Sequence, residues 1–254
     1  MTAITREQRV RVERAHVLAW PALQTARIEG WLWRASGGGS QRANSVSTVD
    51  FTGNDPLRAI ETIEARYRAI GAVARFQTFD ETQPAILPEL LGERGYESGE
   101  ETITMVKSPS PGAGPADVEQ RDAAWADWMD TYTAEITPNR RAVNAQIMTR
   151  VPTPRAFFGC RLEARIAATA LCVIGHGCAV VECVATRSDL RRQGAAQAVM
   201  RALEAWAATQ PVDLLALQVV STNTAAVQLY QRLGYVAAAT NRFWVRNPEL
   251  RPNV

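Results

Sequence analysis

Residues 186–200 read TRSDLRRQGAAQAVM: a threonine-ended apolar run, two arginines, a glycine flanked by small residues, then helical periodicity. A chain that leaves a strand and opens a helix here aims several unpaired N–H groups at one spot, at the positive end of the helix dipole. Arg191, Arg192, Gln193, Gly194, Ala195 and Ala196 therefore form a candidate anion site. Gly194 and the two alanines let a ligand approach the backbone, and the arginines add charge-assisted bonds to phosphate. The Gly-x-x-x-x-Gly-Lys-Ser/Thr and Gly-x-Gly-x-x-Gly patterns of nucleotide folds do not match this stretch.

Other residue types capable of chemistry are sparse. The four cysteines, Cys160, Cys172, Cys178 and Cys183, fall in one apolar region without CxxC spacing, which reads as buried free thiols in a reducing cytosol. Of the two histidines, His176 lies in the turn IGHGC and His16 in an N-terminal helix where packing or surface exposure accounts for it. Neither carries a metal hypothesis, and no metal is expected.

The elements that must position these residues fall into two halves. The stretch SPSPGAGP, residues 108–115, cannot continue a helix or a central strand, and reads as a linker. Residues 1–107 and 117–254 are then separate units joined through 108–116. In the second, the patterning predicts helices at 117–131 and 141–149 and strands near 157–162, 167–174 and 179–186. A helix after Gly194, the strand DLLALQVV, a helix in STNTAAVQLYQRLGY capped by Thr222 or Asn223 and stopped by Gly234, and the strand YVAAATNRFWV follow. Such connectivity belongs to an α/β domain with a mixed parallel and antiparallel sheet. In the first half, strands are expected in IEGWLWRAS, ANSVSTVDF and VARFQTF, with a helix from Asp55 to Ile70. Its ending, LLGERGYESGEETITMV (90–106), matches LYQRLGYVAAATNRFWV (229–245), which points to a duplicated unit.

With 254 residues, 46% of them hydrophobic, the chain can hold two ordinary cores. A net charge of +2 from 28 basic and 26 acidic residues, well mixed, gives no field suited to nucleic acid or an anionic membrane. The opening MTAITREQRVRVERAHVLAW lacks an unbroken apolar core and reads as an amphipathic helix ended by Pro21 rather than as a signal peptide or span.

The pattern Arg191-x-x-Gly194-x-Ala196 resembles the acetyl-CoA pyrophosphate loop of the GCN5-related N-acetyltransferases (GNATs), and NTAAVQLYQRLGY stands at the distance expected of the family's later helix. The resemblance covers most of residues 117–254. It implies that the backbone of Val184, Ala185 and Thr186 binds the pantetheine arm and that Asn223 and Tyr230 are the family's asparagine and tyrosine. The first half looks like the N-terminal part of bacterial tandem members in which only the second copy keeps the loop. Residues 50–57, DFTGNDPL, hold the loop's place there without its pattern, so no cofactor is expected in the first half. That half would cover the acceptor site, brace the second or pair subunits.

The resemblance implies transfer of the acetyl group of acetyl-CoA to a primary amine by direct attack. Backbone N–H groups near Val184 suit polarisation of the carbonyl, and Tyr230 suits protonation of the leaving thiolate. The competing reading places Tyr230 in the core with Val227 and Leu233. Glu182, a carboxylate in the apolar strand AVVECVAT, is the candidate base, its pKa expected to rise on burial. Its alternatives are a rim glutamate paired with an arginine, or a water wire with no single base. Acceptor strands poor in acid, with Arg242 and Arg246 on the last one, lean toward a small amine carrying a carboxylate, such as an amino acid; Trp244 is a candidate for the acceptor channel. A non-catalytic acyl-CoA sensor or interaction module is the alternative function, and a surface turn that binds no CoA a third. A cytoplasmic monomer or homodimer is expected, without nucleic acid or membrane partners.

Overall fold

A computed structural model describes residues 4–246. In the first half, α1 (Arg6–Ala19) opens on a reciprocal cap: Gln8 N–H donates to Thr5 Oγ1 (3.2 Å) and Thr5 N–H to Gln8 Oε1 (2.8 Å). The hairpin β1 (Gln24–Ile28) and β2 (Trp31–Ala35) follows, then a 3-10 turn (Arg42–Asn44) and the two-residue β3 (Val46–Ser47). Helix α2 (Pro56–Ala69) has Asp55 as its cap and proline in its first turn, where a missing N–H costs nothing. Strand β4 (Arg75–Phe79), α3 (Leu87–Glu93), β5 (Tyr96–Ser98) and β6 (Thr102–Lys107) complete this half.

Residues 108–117 carry no helix or strand. The second half runs β7 (Val118–Arg121), α4 (Ala126–Ala134), α5 (Pro138–Thr149), β8 (Arg155–Leu162), β9 (Arg165–Gly175), β10 (Cys178–Thr186), α6 (Ala195–Ala207), β11 (Leu214–Val220), α7 (Thr224–Arg232) and β12 (Val236–Arg246). The helix expected from Asp117 thus begins only at Ala126. Val118–Arg121 instead pairs antiparallel with Phe157–Cys160, satisfying the outer edge of β8. Likewise ANSVSTVDF yields a two-residue strand, because Thr48 Oγ1 turns back to donate to Gln77 O (2.8 Å).

All strands belong to one mixed sheet in the order β1-β2-β3-β4-β12-β6-β11-β10-β9-β8-β7, with β5 pairing on β12. Among the described residues only β3–β4 and β10–β11 pair in parallel. The two halves exchange their last strands: β6 pairs with β11 and β12, and β12 with β4. One core lies under α6 and α7, and another under α4 and α5. The latter also takes Val12, Ala15 and Ala19 of α1, so the first helix packs against β9 and β10 of the second half. The third core is formed by β1–β4 with α2 and α3, centred on the fully buried Trp31 and Ile60. Among the described residues no helix is long and apolar enough to cross a membrane.

Candidate active site

Strand β10 pairs with β11 only through Cys178–Val180, so beyond Val180 the two strands part and leave a wedge. On its other side β10 is bulged between Glu182 and Ala185 in its register with β9, and Cys183 sits at φ +54°. A bulge releases backbone groups from the ladder and increases the local twist. Thr169 Oγ1, donating to Cys183 O at 3.0 Å, ties it down. Val184, Ala185 and Thr186 follow, half-buried, along the wall of the wedge.

The loop before α6 lies beyond it. A 3-10 turn (Ser188–Leu190) leads to Arg192 at φ +63° and Gly194 at φ +83°, the residue that caps α6. The first backbone bond of α6 runs from Ala198 N–H to Gly194 O (2.9 Å), leaving the amides of residues 194–197 without a backbone acceptor. A Cβ at Gly194 would meet nothing within 4 Å, so the backbone is open to a ligand and the glycine is required by its φ alone. Open amides at the positive end of a 13-residue helix fit a pyrophosphate. Two details differ from expectation. Arg191 pairs with Glu135 (2.7 Å), whose other oxygen accepts from Ser188 N–H (2.9 Å), so this guanidinium fixes the loop to the end of α4. Ala195 is buried in the core, and its smallness serves packing. Arg192 and Gln193 are exposed, and Ala196 is half-buried.

Asn223 caps α7, its side chain accepting from Ala226 N–H (3.3 Å). Tyr230 is buried beside Tyr235, ring centres 5.9 Å apart. Burial, helped by the charge of Glu182, pushes its phenol up to about 12.

Glu182 requires a correction. Burial alone would raise its pKa, as expected from the sequence, but Arg42 reverses the outcome. The guanidinium donates to both carboxylate oxygens, at 2.6 and 2.5 Å, and brings the pKa down to about 2. Arg42 belongs to the first half, so the pairing joins residues 140 apart in sequence.

Around Glu182 opens a cavity of about 450 Å³ between the two halves. Trp20, Gln41, Arg42 and Thr102 line it from the first half, and Tyr132, Arg140, Gln218 and Phe243 from the second. The sequence reading missed these residues because they come from segments far apart in the chain. A signal was available only for the polar cluster next to the cavity: Glu13 and His16 interrupt the buried stripe Val12, Ala15, Ala19 of α1, and polar residues on such a stripe need partners. Of the last strand, Phe243 faces the cavity. Trp244 turns instead to the first-half core, donating to Thr78 Oγ1 at 2.8 Å, as strand alternation requires. Arg242 is committed to Glu101 (2.8 Å). Three of the four free cysteines are buried, and among the described residues no group of three or more His, Cys, Asp or Glu side chains could hold a metal.

A mixed sheet that parts beside a bulged strand, with a glycine-capped helix at the mouth, is the architecture of a GNAT-type, acyl-CoA-dependent N-acetyltransferase. The chain belongs to the family described as "Probable histone acetyltransferase Rv0428c C-terminal", whose sequence model matches residues 5–244. It is 25% identical over 246 residues to the uncharacterized N-acetyltransferase YobR of Bacillus subtilis (strain 168), covering 93% of this chain and 98% of that protein. Its fold is similar to that of a GCN5-related N-acetyltransferase from Kribbella flavida, with TM-score 0.68 and 20% identity over 98% of both chains. It is also similar to a tandem GNAT protein from the clavulanic acid biosynthesis pathway, with TM-score 0.63 and 11% identity over 98% of this chain and 97% of that one.

Proposed function

We propose that the protein moves the acetyl group of acetyl-CoA to the primary amine of a small acceptor that carries a carboxylate, by direct attack. The observation that carries this reading is the cavity around Glu182, lined by the paired Glu182 and Arg42, by Glu100 and by Arg140. Arg140, half-buried at the start of α5, makes no ion pair among the described residues and is the group for the acceptor carboxylate. Glu182, kept anionic by Arg42, attracts the acceptor's ammonium.

On this reading the amides of residues 194–197, with Arg192, hold the pyrophosphate, and the edge of Val184–Thr186 holds the pantetheine arm. N–H groups freed by the bulge polarise the thioester carbonyl. Tyr230 donates its proton to the departing sulfur, and Asn223 keeps α7 in place to present it. The same donor can recover a proton from the tetrahedral intermediate.

We read residues 1–107 and 117–254 as two copies joined by 108–116. Supporting this, β3–β4 and β10–β11 are the parallel pairs of the two halves, and Gly95 (φ +77°) and Gly234 (φ +87°) end equivalent helices before a tyrosine. The first copy then supplies Trp20, Gln41 and Arg42 to the acceptor cavity. The four free cysteines suit a reducing cytosol.

A thiol-release assay with acetyl-CoA against matched amines tests the reading. Amino acids should be acetylated at least tenfold faster than their amides or decarboxylated analogues, and Arg140→Ala should erase that preference by raising KM. Equal rates for both sets would overturn the carboxylate assignment.

A further inference from the structure

Behind the acceptor cavity lies a closed polar cluster that the reaction as described does not use. His16 on α1 is 3% exposed, and neither ring nitrogen has a hydrogen-bond partner. Its Nδ1 lies 3.8 Å from Glu182 Oε1, longer than a hydrogen bond. Glu182 lines the acceptor cavity and His16 does not, so Glu182 links the two. His16 instead shares a chamber of about 10 Å³ with Glu13, Arg34, Arg42 and Gln77.

The charges facing His16 come from every element packed around it. Glu13 stands one turn earlier on its own helix, Glu182 on β10, Arg42 on the 3-10 turn and Arg34 on β2. Glu13 is already committed, accepting from Thr104 Oγ1 (2.7 Å) and Gln218 Nε2 (3.0 Å). Arg34 is held by Ser45 O (3.0 Å) and Gln77 Oε1 (2.8 Å). Burial pushes the Glu13 carboxyl up, Arg42 holds Glu182 as the anion, and His16 is left as the titratable group of the cluster without a hydrogen-bond partner.

We propose that His16 is a positioning residue that stores the acceptor's proton, acting through Glu182, so that the first half completes the proton path of the second. The acceptor's N–H bond breaks with its electron pair left on nitrogen, giving the neutral amine. The proton passes by way of a Glu182 oxygen to the Nδ1 lone pair in one concerted relay, so the carboxylate stays the anion and imidazolium forms. It then returns by the same path to bulk water, one proton per acetyl transferred. The proposal rests on Glu182 facing the acceptor amine, as read above.

Two measurements test it. His176 sits in a turn at φ +50°, a conformation asparagine tolerates, so His176→Asn leaves His16 as the single imidazole for an NMR pH titration. In that background Glu182→Gln should lower the His16 midpoint by a unit or more, because it removes the anion and leaves the guanidinium. A midpoint that moves by less than about 0.3 unit overturns the contact and the proposal. In the thiol-release assay, with whichever amine turns over, His16→Gln should lower kcat about tenfold or more. It should also abolish the rise in rate with pH that His16 deprotonation causes, with acetyl-CoA affinity unchanged. An unchanged pH profile in a folded His16→Gln or His16→Asn protein overturns it. Wild-type protein inactive toward every amine would instead bring down the functional reading, and this inference with it.

Discussion

Replacing Arg42 with Gln removes the guanidinium that does most to hold Glu182 ionised, in a pair whose carboxylate side chain is 5% exposed and whose guanidinium is 23% exposed. The carboxyl stands at about 2 against an ordinary 4.5. At about 1.4 kcal/mol per unit, this gap of roughly 2.5 units corresponds to ~3 kcal/mol at neutral pH. A depressed carboxylate pKa adds stability that is present above the unfolded value and is lost as pH falls through the folded one. The contribution should therefore be complete above pH ~5 and fade toward pH ~2. Urea unfolding followed by tryptophan fluorescence and circular dichroism should show Arg42→Gln destabilised by about 3–5 kcal/mol at pH 7, because a buried charge is left unpaired. The deficit should shrink as the buffer is taken from pH 5 toward pH 3. Arg42→Gln with Glu182→Gln should recover most of it, since neither amide is charged. A loss under about 1 kcal/mol at pH 7, or one that does not change with pH, would refute this account of Glu182.

Three further outcomes are expected. Gly194→Val places a β-branched residue at φ +83° and should cost about 1–3 kcal/mol of stability while weakening acetyl-CoA binding at least tenfold by calorimetry. Tyr230→Phe should keep the acetyl-CoA dissociation constant and lower kcat about a hundredfold; equal kcat would place Tyr230 in the core alone. Trp128→Ala removes a fully buried indole and its bond to Phe158 O (2.8 Å), and should cost about 3–5 kcal/mol in urea unfolding with cofactor affinity retained in the folded fraction.

Local features were the ones the sequence made legible. The turn around Gly194, the cap at Asn223 and the glycine stop at Gly234 depend on a few adjacent residues, and all stand where their types require. The mixed sheet followed from element order. What escaped was set by contacts between distant segments. Val118–Arg121 becomes a strand because β8 offers it an edge, and nothing within those four residues announces that. The exchange of β6 and β12 between halves is invisible to patterning, because each remains a half-buried strand whichever neighbour it pairs with. For the same reason the burial of Glu182 and an arginine partner could each be weighed, but not that the two combine, since the arginine that decides the sign of the pKa shift stands 140 residues away.

The most direct test of the central claim is calorimetric titration of the folded protein with acetyl-CoA, run beside Gly194→Val. The account predicts one-to-one binding by the wild-type protein, at least tenfold weaker in the variant, with thiol release once a suitable amine is added. No binding at millimolar acetyl-CoA, or equal binding by both proteins, would contradict the assignment of the Gly194 loop and the reaction built on it.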